Sequence, residues 1–328
     1  MRKKIRVALI AILGLQLALI GVAWWVLTQP MVRALPREGV TRAVDPVRLR
    51  AHVRALSVTF FPRDYTHPEN LDRVAAYARG ALETAGGRVT EQEYTVFGKR
   101  YRNVIACFGP AGGERIVVGA HYDTAEQFPG ADDNASGVAG LIELARLLGE
   151  TSDLKLRVDL VAYTLEEPPF FRTAAMGSWV HAGSLKREGV GLRAMFSLEM
   201  IGYFSDAPKT QTFPHPLLGL FYPTRGNFIA VIGRVDQVKL ARRVKSAMKG
   251  ASDLDVRSMS GPTWIPGIDF SDHLGYWVHG YPALMVTDTS FYRNDRYHTE
   301  RDTPETLDYA RMAKVVQGVY QAVLALSK

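Results

Sequence analysis

The apolar positions form one long unbroken block, followed by a regular alternation of short apolar runs and helical stripes. The block is Val7–Thr28 (VALIAILGLQLALIGVAWWVLT), 22 residues without a charge, in which Gln16 is the one strongly polar side chain. As a helix it covers about 30 Å, the hydrocarbon thickness of a bilayer. Trp24 and Trp25 stand at its far end, where indoles favour the membrane interface. Arg2, Lys3, Lys4 and Arg6 precede it, which predicts a cytoplasmic segment 1–6, a transmembrane signal anchor over 7–28 and everything later on the outer, periplasmic or extracellular, side. The alternative is a signal peptide that is cleaved to release a secreted protein. Its apolar region would run about 7–15 residues and end at an A-x-A site, which does not directly follow here. Residues 29–44, with Pro30, Pro36 and several charges, read as a linker.

From residue 45 to 328 the pattern contains no repeat and no second linker, so it predicts one domain. Pro68–Ala85 has helical spacing and stops at Gly86-Gly87. Arg88–Phe97 and Arg102–Phe108 read as a hairpin around Gly98-Lys99. Strands are predicted over Ile116–Ala120, Leu156–Tyr163, Ala194–Leu198, Phe228–Ile232 and Ala283–Val286. Helices are predicted over Ser136–Leu148, Gln237–Lys249 and Leu307–Leu326. Alternation of this kind specifies an α/β fold: a central mixed, mostly parallel sheet with helices on both faces, preceded here by the apolar N-terminal helix.

Composition narrows the function. With 47% hydrophobic and 22% charged residues the chain is an ordinary globular one, which excludes a mainly disordered or multi-span protein. The single cysteine, Cys107, excludes a disulfide scaffold and a thiolate zinc cluster. Without the four N-terminal cations the formal net charge of +7 falls to about +3, and no basic stripe interleaves with stacking aromatics, so no nucleic-acid partner is expected.

Five polar stretches each follow a predicted strand, where ligands sit in open α/β sheets. His121-Tyr-Asp123 puts an imidazole two residues from a carboxylate, the spacing that holds a metal-bound histidine's second nitrogen. Gly130–Gly137 (GADDNASG) leads into a helix; a helix cap explains one or two of its polar residues but not adjacent acids with an asparagine. Glu166-Glu167 places two like charges at a buried sheet end, where one could bind a cation and the other carry a proton. Glu199 ends an apolar strand and needs a partner. Tyr297-His298 opens a polar loop ending at Asp302. Taken singly, a strand-end polar residue, a solvated loop, an ion pair or a surface histidine accounts for each. His52, His67, His181 and His215 lack this setting, Asp272-His273 either supports the site or caps a helix, and His279 reads as packing or surface. Together the five stretches offer imidazole and carboxylate ligands suited to Zn²⁺, and also to Mn²⁺ or Co²⁺. H-E-x-x-H, G-x-S-x-G and G-x-x-x-x-G-K-[ST] are all missing, which excludes a helix-borne zincin site, a nucleophile elbow and a P-loop.

The stretches VVGAHYDT, GADDNASGVAG, EEPPFFRTAAMGS, SLEMIGY, SDHLGYW and YHTERDTPETLDY occur in this order over residues 117–309. In this the chain resembles the M28 zinc peptidases, the family of bacterial secreted aminopeptidases and, more distantly, of glutaminyl cyclases and the transferrin receptor ectodomain. The resemblance implies two Zn²⁺ ions per chain bridged by Asp133, one completed by His121 and Glu199 and the other by Glu167 and His298. It implies Glu166 as general base, Asp123 orienting His121, and Tyr297 as a hydrogen-bond donor to the developing oxyanion. It also implies a cis peptide between Asp133 and Asn134. Position 199 departs from the pattern, being Glu where many relatives carry Asp. The activity implied is that of a zinc-dependent exopeptidase, an aminopeptidase acting on peptide substrates. A carboxypeptidase remains open through Arg172, Arg293, Arg296 and Arg301, as do a single-zinc glutaminyl cyclase and a non-catalytic ectodomain. Phe128, Phe170, Phe171, Trp264 and Tyr292 are candidates for an apolar side-chain pocket.

Overall fold

The structure, a computed structural model, describes residues 2–39 and 43–328. Met1 and residues 40–42 of the predicted linker lie outside the described residues, as do the side chains of Arg2, Lys3 and Ala8. Eight strands form one sheet: β1 (Arg88–Val96), β2 (Lys99–Phe108), β3 (Arg115–His121), β4 (Arg157–Tyr163), β5 (Leu192–Glu199), β6 (Phe228–Arg234), β7 (Asp255–Gly261) and β8 (Ala283–Thr287). Their spatial order is β1-β2-β4-β3-β5-β8-β6-β7. Four of the seven pairings are parallel, which makes the sheet mixed with a parallel centre.

The helices are α1 (Arg2–Thr28), α2 (Pro46–Arg54), α3 (Pro68–Thr84), α4 (Gly137–Gly149), α5 (Gly177–Arg187), α6 (Val238–Ala251), α7 (His273–Val278) and α8 (Tyr309–Leu326). One sheet face carries α2, α3, α4, α6 and α8 over a large core that includes Leu49, Leu82, Leu141, Phe196 and Val319. The other carries α5 and α7 over a smaller one around Tyr163, Met195 and Tyr276. Within the parallel strands both faces are covered, so β3 and β4 are buried along nearly their whole length.

Three differences from the sequence pattern have local causes. The hairpin turns at Phe97-Gly98, with φ of 48° and 78°, and Lys99 already pairs with Val96; the two-residue turn takes both left-handed positions, one of them on a non-glycine. β7 alternates Asp, Arg and Met on one face with Val and Ser on the other, too polar to read as a strand, yet it closes the sheet edge beside β6. α2 hides behind its cations; it starts because Asp45 accepts from the Val47 amide (2.9 Å) and Pro46 occupies the first turn.

The order around β3 positions the site. From β3 the chain returns to β4 on one side and then crosses to β5 on the other. That reversal opens a crevice beyond the carboxyl ends of β3, β4 and β5.

Candidate metal centre

His121 is the last residue of β3, Glu166 and Glu167 follow β4, and Glu199 is the last residue of β5. The crevice therefore receives one imidazole and three carboxylates from neighbouring strands without any long excursion of the chain. Asp133 arrives on a kinked turn over Ala131–Ser136, and His298 on the loop between β8 and α8.

The side-chain atoms converge. His121 Nε2 lies 3.4 Å from Asp133 Oδ1, 3.4 Å from Glu199 Oε2 and 3.9 Å from Glu166 Oε2. His298 Nε2 lies 3.1 Å from Asp133 Oδ2 and 3.3 Å from Glu167 Oε1. Asp133 thus faces one histidine with each oxygen. Two sets of ligand atoms, His121–Asp133–Glu199 and Asp133–Glu167–His298, each fall within 4.8 Å and share Asp133; His121, Glu166 and Glu167 form a third such set. His121 Nε2 and Asp133 Oδ1 are buried and make no hydrogen bond to any described residue. An unpaired buried acceptor and ring nitrogen aimed at the same point are costly unless a cation completes them. Five imidazole and carboxylate groups so arranged are the donor chemistry that fits divalent cations such as zinc.

The electrostatics agree with that fit. Burial raises Glu166 well above the ordinary carboxylate range, the charges of Glu167 and Glu199 add to this, and His121 opposes it. Burial, with Asp133 nearby, pushes Glu167 up to about 7. Burial also raises Glu199. Asp133 goes the other way: burial alone would raise it, but His121 and His298 together hold it below the ordinary value. His298 would be lowered by burial, yet Asp133 and Glu167 raise it to about 10. Excess negative charge of this kind is what cations neutralise.

A supporting layer fixes these groups. The Asp123 carboxylate accepts the amides of Glu166 (3.1 Å) and Glu167 (3.1 Å), tying the end of β3 to that of β4, and its Oδ1 lies 3.6 Å from His121 Nδ1. Ser271 donates to Glu199 Oε2 at 2.7 Å, holding the longer side chain in the cluster. The peptide between Asp133 and Asn134 is cis. Asn134 donates to Leu198 O (2.8 Å) and accepts from the Met200 amide (3.2 Å), clamping the turn to β5. Gly130 sits at φ 55° in a space where a Cβ would meet Asp133 O at 2.2 Å, so no other residue fits that corner. Leu165 and Met200, which flank Glu166 and Glu199, and His298 itself have φ of 60°, 50° and 52°, three non-glycine residues in the left-handed region.

Two residues of this layer carried little sequence signal. Asp302 accepts the amides of Asp132 (2.9 Å) and Asp133 (3.1 Å) and so locks the turn to the His298 loop. Arg63 is fully buried and donates to the carbonyls of Tyr122, Leu56, Pro129 and Gly130 at 2.8–3.0 Å. Asp302 ends the polar loop that His298 opens, but its carboxylate acts on a turn 170 positions away. Nothing in the surroundings of Arg63 in sequence points to a buried hub.

The remaining candidates lie apart. His52 pairs with Tyr77 and Glu143, His67 with Asp64, and His181 with Tyr276, while His273 packs on Trp277. Asp272 makes no side-chain cap at α7; it is buried near the cluster, and burial pushes it up to about 7. Beside the cluster opens a cavity of about 280 Å³, lined on the site side by Asp133, Glu166, Glu167, Glu199, Tyr297 and His298. The Tyr297 ring stacks on His298 with centroids 3.7 Å apart. Phe171 and Tyr292 line the cavity, whereas Phe128, Phe170 and Trp264 do not. None of Arg172, Arg293, Arg296 and Arg301 lines it: Arg172 pairs with Asp269, Arg301 with Asp295, Arg293 stacks on Phe228 and Arg296 on Tyr203.

The family model for peptidase family M28 matches residues 103–323, about two thirds of the chain and every residue of the cluster. The chain belongs to peptidase family M28. This M28 member is 50% identical over 299 residues to "Uncharacterized protein YfbL" of Escherichia coli (strain K12), covering 89% of this chain and 91% of that one. It is 26% identical over 236 residues to "Leucine aminopeptidase 1" of Ajellomyces dermatitidis, covering 66% of this chain and 54% of that one, so it spans about half the length of that relative. Its fold matches the LapA aminopeptidase of Legionella pneumophila with a TM-score of 0.67 at 19% identity, covering 87% and 72% of the two chains. It matches a glutaminyl cyclase of Porphyromonas gingivalis with a TM-score of 0.65 at 22% identity, covering 85% and 98%.

Proposed function

We propose that this M28 member is a membrane-anchored metallopeptidase with two zinc ions, acting as an aminopeptidase. The observation that carries the reading is the paired convergence of His121, Asp133 and Glu199 on one side and Asp133, Glu167 and His298 on the other, with Glu166 beside both. His121, Asp133 and Glu199 would hold one ion, and Asp133, Glu167 and His298 the second. A bound pair of divalent ions supplies Lewis acidity to the scissile carbonyl and acidifies a shared water.

The chain's own groups do the rest. Glu166 takes the proton of the attacking water and returns it to the leaving amine; its raised affinity for a proton suits a base that must hold one between the two steps. Asp123 orients His121 and, through the amides of Glu166 and Glu167, keeps the base and a ligand in register. Tyr297, fixed by stacking on His298, supplies a phenol for the oxyanion. The acidic rim attracts an α-ammonium group. Arg257, the arginine among the described residues that lines the cavity, stands on the outer strand β7 and pairs with Asp255 at 2.7 Å, away from the ligand cluster, which favours amino- over carboxypeptidase action. A non-catalytic ectodomain would not need every ligand position and the base filled.

α1 is long and apolar enough to cross a membrane by length and composition, the same test a signal sequence passes. The length of its apolar block and the lack of an A-x-A site directly after it support an uncleaved anchor, and the basic residues of its first turns support a catalytic domain on the outer side.

Glutaminyl cyclisation is the second reading, because the fold covers 98% of the cyclase chain. The test is a panel of aminoacyl, N-blocked and N-terminal glutaminyl peptides, with and without chelator, comparing wild type with Glu166→Gln. Release of free N-terminal residues that chelator abolishes supports the reading. Cyclisation without hydrolysis, or hydrolysis that survives Glu166→Gln, overturns it.

A further inference from the structure

The cavity does not end at the metal centre. From Glu199 its floor continues over Thr287 and Met285 of β8, Ala230 and Phe228 of β6, and Met259 of β7. Side chains two apart in a strand share a face, so these residues form one apolar path on the sheet face opposite α6. Their intervening neighbours Ile229, Val231, Leu284 and Val286 are packed in the large core. Because β7 is the outer strand, the path leads from the middle of the sheet to its edge.

The anchor helix ends at that same edge. Ser258 of β7 donates to the carbonyl of Thr28, the last residue of α1, at 3.0 Å. Tyr222, which lines the cavity, donates to the carbonyl of Ser258 at 2.7 Å. Trp24 of α1 sits 6.5 Å, ring to ring, from Phe221. The segment 213–222 is thereby pinned between cavity and anchor, and it has two apolar faces. Phe213, Leu218 and Tyr222 turn inward to line the cavity. Leu217, Leu220 and Phe221 turn outward and are 60%, 75% and 39% exposed. Three large apolar side chains in five residues, facing water beside a helix end marked by two tryptophans, are a poor surface for solvent and a good one for a lipid interface. Across the end of α1 from them runs α6, which has five cations and no acid; Lys239 and Arg243 are exposed, and Arg242 stacks over Trp25 at 4.7 Å. Cations so placed favour anionic headgroups.

We propose that the outer face of segment 213–222 lies in the interfacial layer of the bilayer that α1 crosses. The outer end of the substrate cavity then opens at an anionic lipid surface, and the substrates favoured are peptides held at that surface with apolar N-terminal residues. This rests on reading α1 as an uncleaved anchor and deepens the peptidase reading by fixing where the substrate enters.

The test uses the full chain in nanodiscs of phosphatidylcholine and phosphatidylglycerol, on a Cys107→Ser background. A single environment-sensitive fluorophore is attached after Leu19→Cys in α1, Leu220→Cys in the segment, or Phe97→Cys on the opposite sheet edge. Spin-labelled lipid is expected to quench the labels at 19 and 220 and to leave the one at 97 unaffected. A label at 220 quenched no more than the one at 97, while the label at 19 is quenched, overturns the proposal and leaves the anchor reading intact. No quenching at 19 overturns the anchor reading and the proposal with it. A second arm keeps folding out of the result. Leu217→Glu with Leu220→Glu, both surface changes, is expected to lower kcat/KM about tenfold, a loss of roughly 1.4 kcal/mol of interfacial binding, for a palmitoylated peptide with a free N-terminal leucine, while turnover of a soluble aminoacyl substrate stays the same. Equal effects on both substrates, or on neither, overturn the proposal.

Discussion

Glu166 and Asp133 stand within the same cluster but are expected to fail differently when changed. Glu166→Gln removes a proton carrier and no unique ligand. It should lower kcat on a leucyl peptide by about 10²–10⁴-fold with the metal content of the purified protein unchanged. Asp133→Asn removes the group that faces both histidines, so metal and activity should fall together. Metal analysis beside the kinetics separates the two. If Glu166→Gln keeps its rate, the assignment of the base is wrong. Arg63 makes a purely structural contribution of similar weight. Arg63→Leu leaves up to four carbonyls without their donor, at about 1–3 kcal/mol for a buried group left unsatisfied. A fall in Tm of roughly 2–12 °C is expected, at about 2–4 °C per kcal/mol for a domain of this size; a shift below about 2 °C would show the hub to be dispensable. His121, Glu167 and Glu199 were legible in the sequence because each sits at the end of an apolar run. Arg63, Ser271 and Asp302 were not, because what makes them important is a partner far away in sequence.

At the scale of elements, the strand ends form a site because β3 lies between β4 and β5, and the ladders fix the ends at one level: His121 is opposite Tyr163, and Gly119 opposite Ser197. The apolar runs identified those strands, while β7 escaped notice for its serines and α2 for its arginines. Concentrating carboxyl groups at one sheet end has a pH consequence for the metal-free protein. Burial pushes Asp302 up to about 8, and Glu167 and Asp272 to about 7. In the unfolded chain these groups titrate near 4, as ordinary carboxylic acids do. A folded-state pKa above the unfolded one means that the folded chain binds more protons in between, so its stability declines as pH rises through that interval. His298 acts in the same sense: its raised value, about 10, stabilises the fold below the ordinary imidazole range and that stability is lost as pH rises towards 10. Asp133 opposes this only in acid, below its ordinary titration range. Chelator-treated protein is therefore expected to lose Tm steadily from about pH 5 to pH 9, and zinc is expected to flatten the curve. A metal-free Tm that rises over this range contradicts the description of the cluster.

At the scale of the whole molecule, α1 and the domain are not joined by a loose tether. Residues 30–38 run along α6 and α8: the Leu35 amide donates to Ser246 O at 3.0 Å, Lys249 to Val32 O at 3.0 Å, and Gln321 to Glu38 O at 2.6 Å. Lys245 is buried and donates to the carbonyls of Thr28 and Gln29, both at 3.0 Å. Prolines and charges in this stretch suit a free spacer equally well; docking depends on α6 presenting its cations to the passing carbonyls. Lys245→Met with Lys249→Met should leave the domain folded and active while exposing this stretch to limited proteolysis between α1 and α2. Unchanged protease resistance would show that the docking is held by other contacts. The same strap holds the end of α1 against the sheet edge where the cavity ends; with α1 as the proposed anchor, that edge is the one that faces the bilayer.

All of this depends on two sets of ligands sharing Asp133, and the number of bound ions reads that directly. Zinc content by mass spectrometry of the purified full-length protein and of the Glu199→Ala and His298→Ala variants is the decisive measurement. Two ions in the wild type and one in each variant are the expected result, because each substitution strips one set. A wild-type protein that holds a single ion at saturating zinc, or variants that keep both, would contradict it.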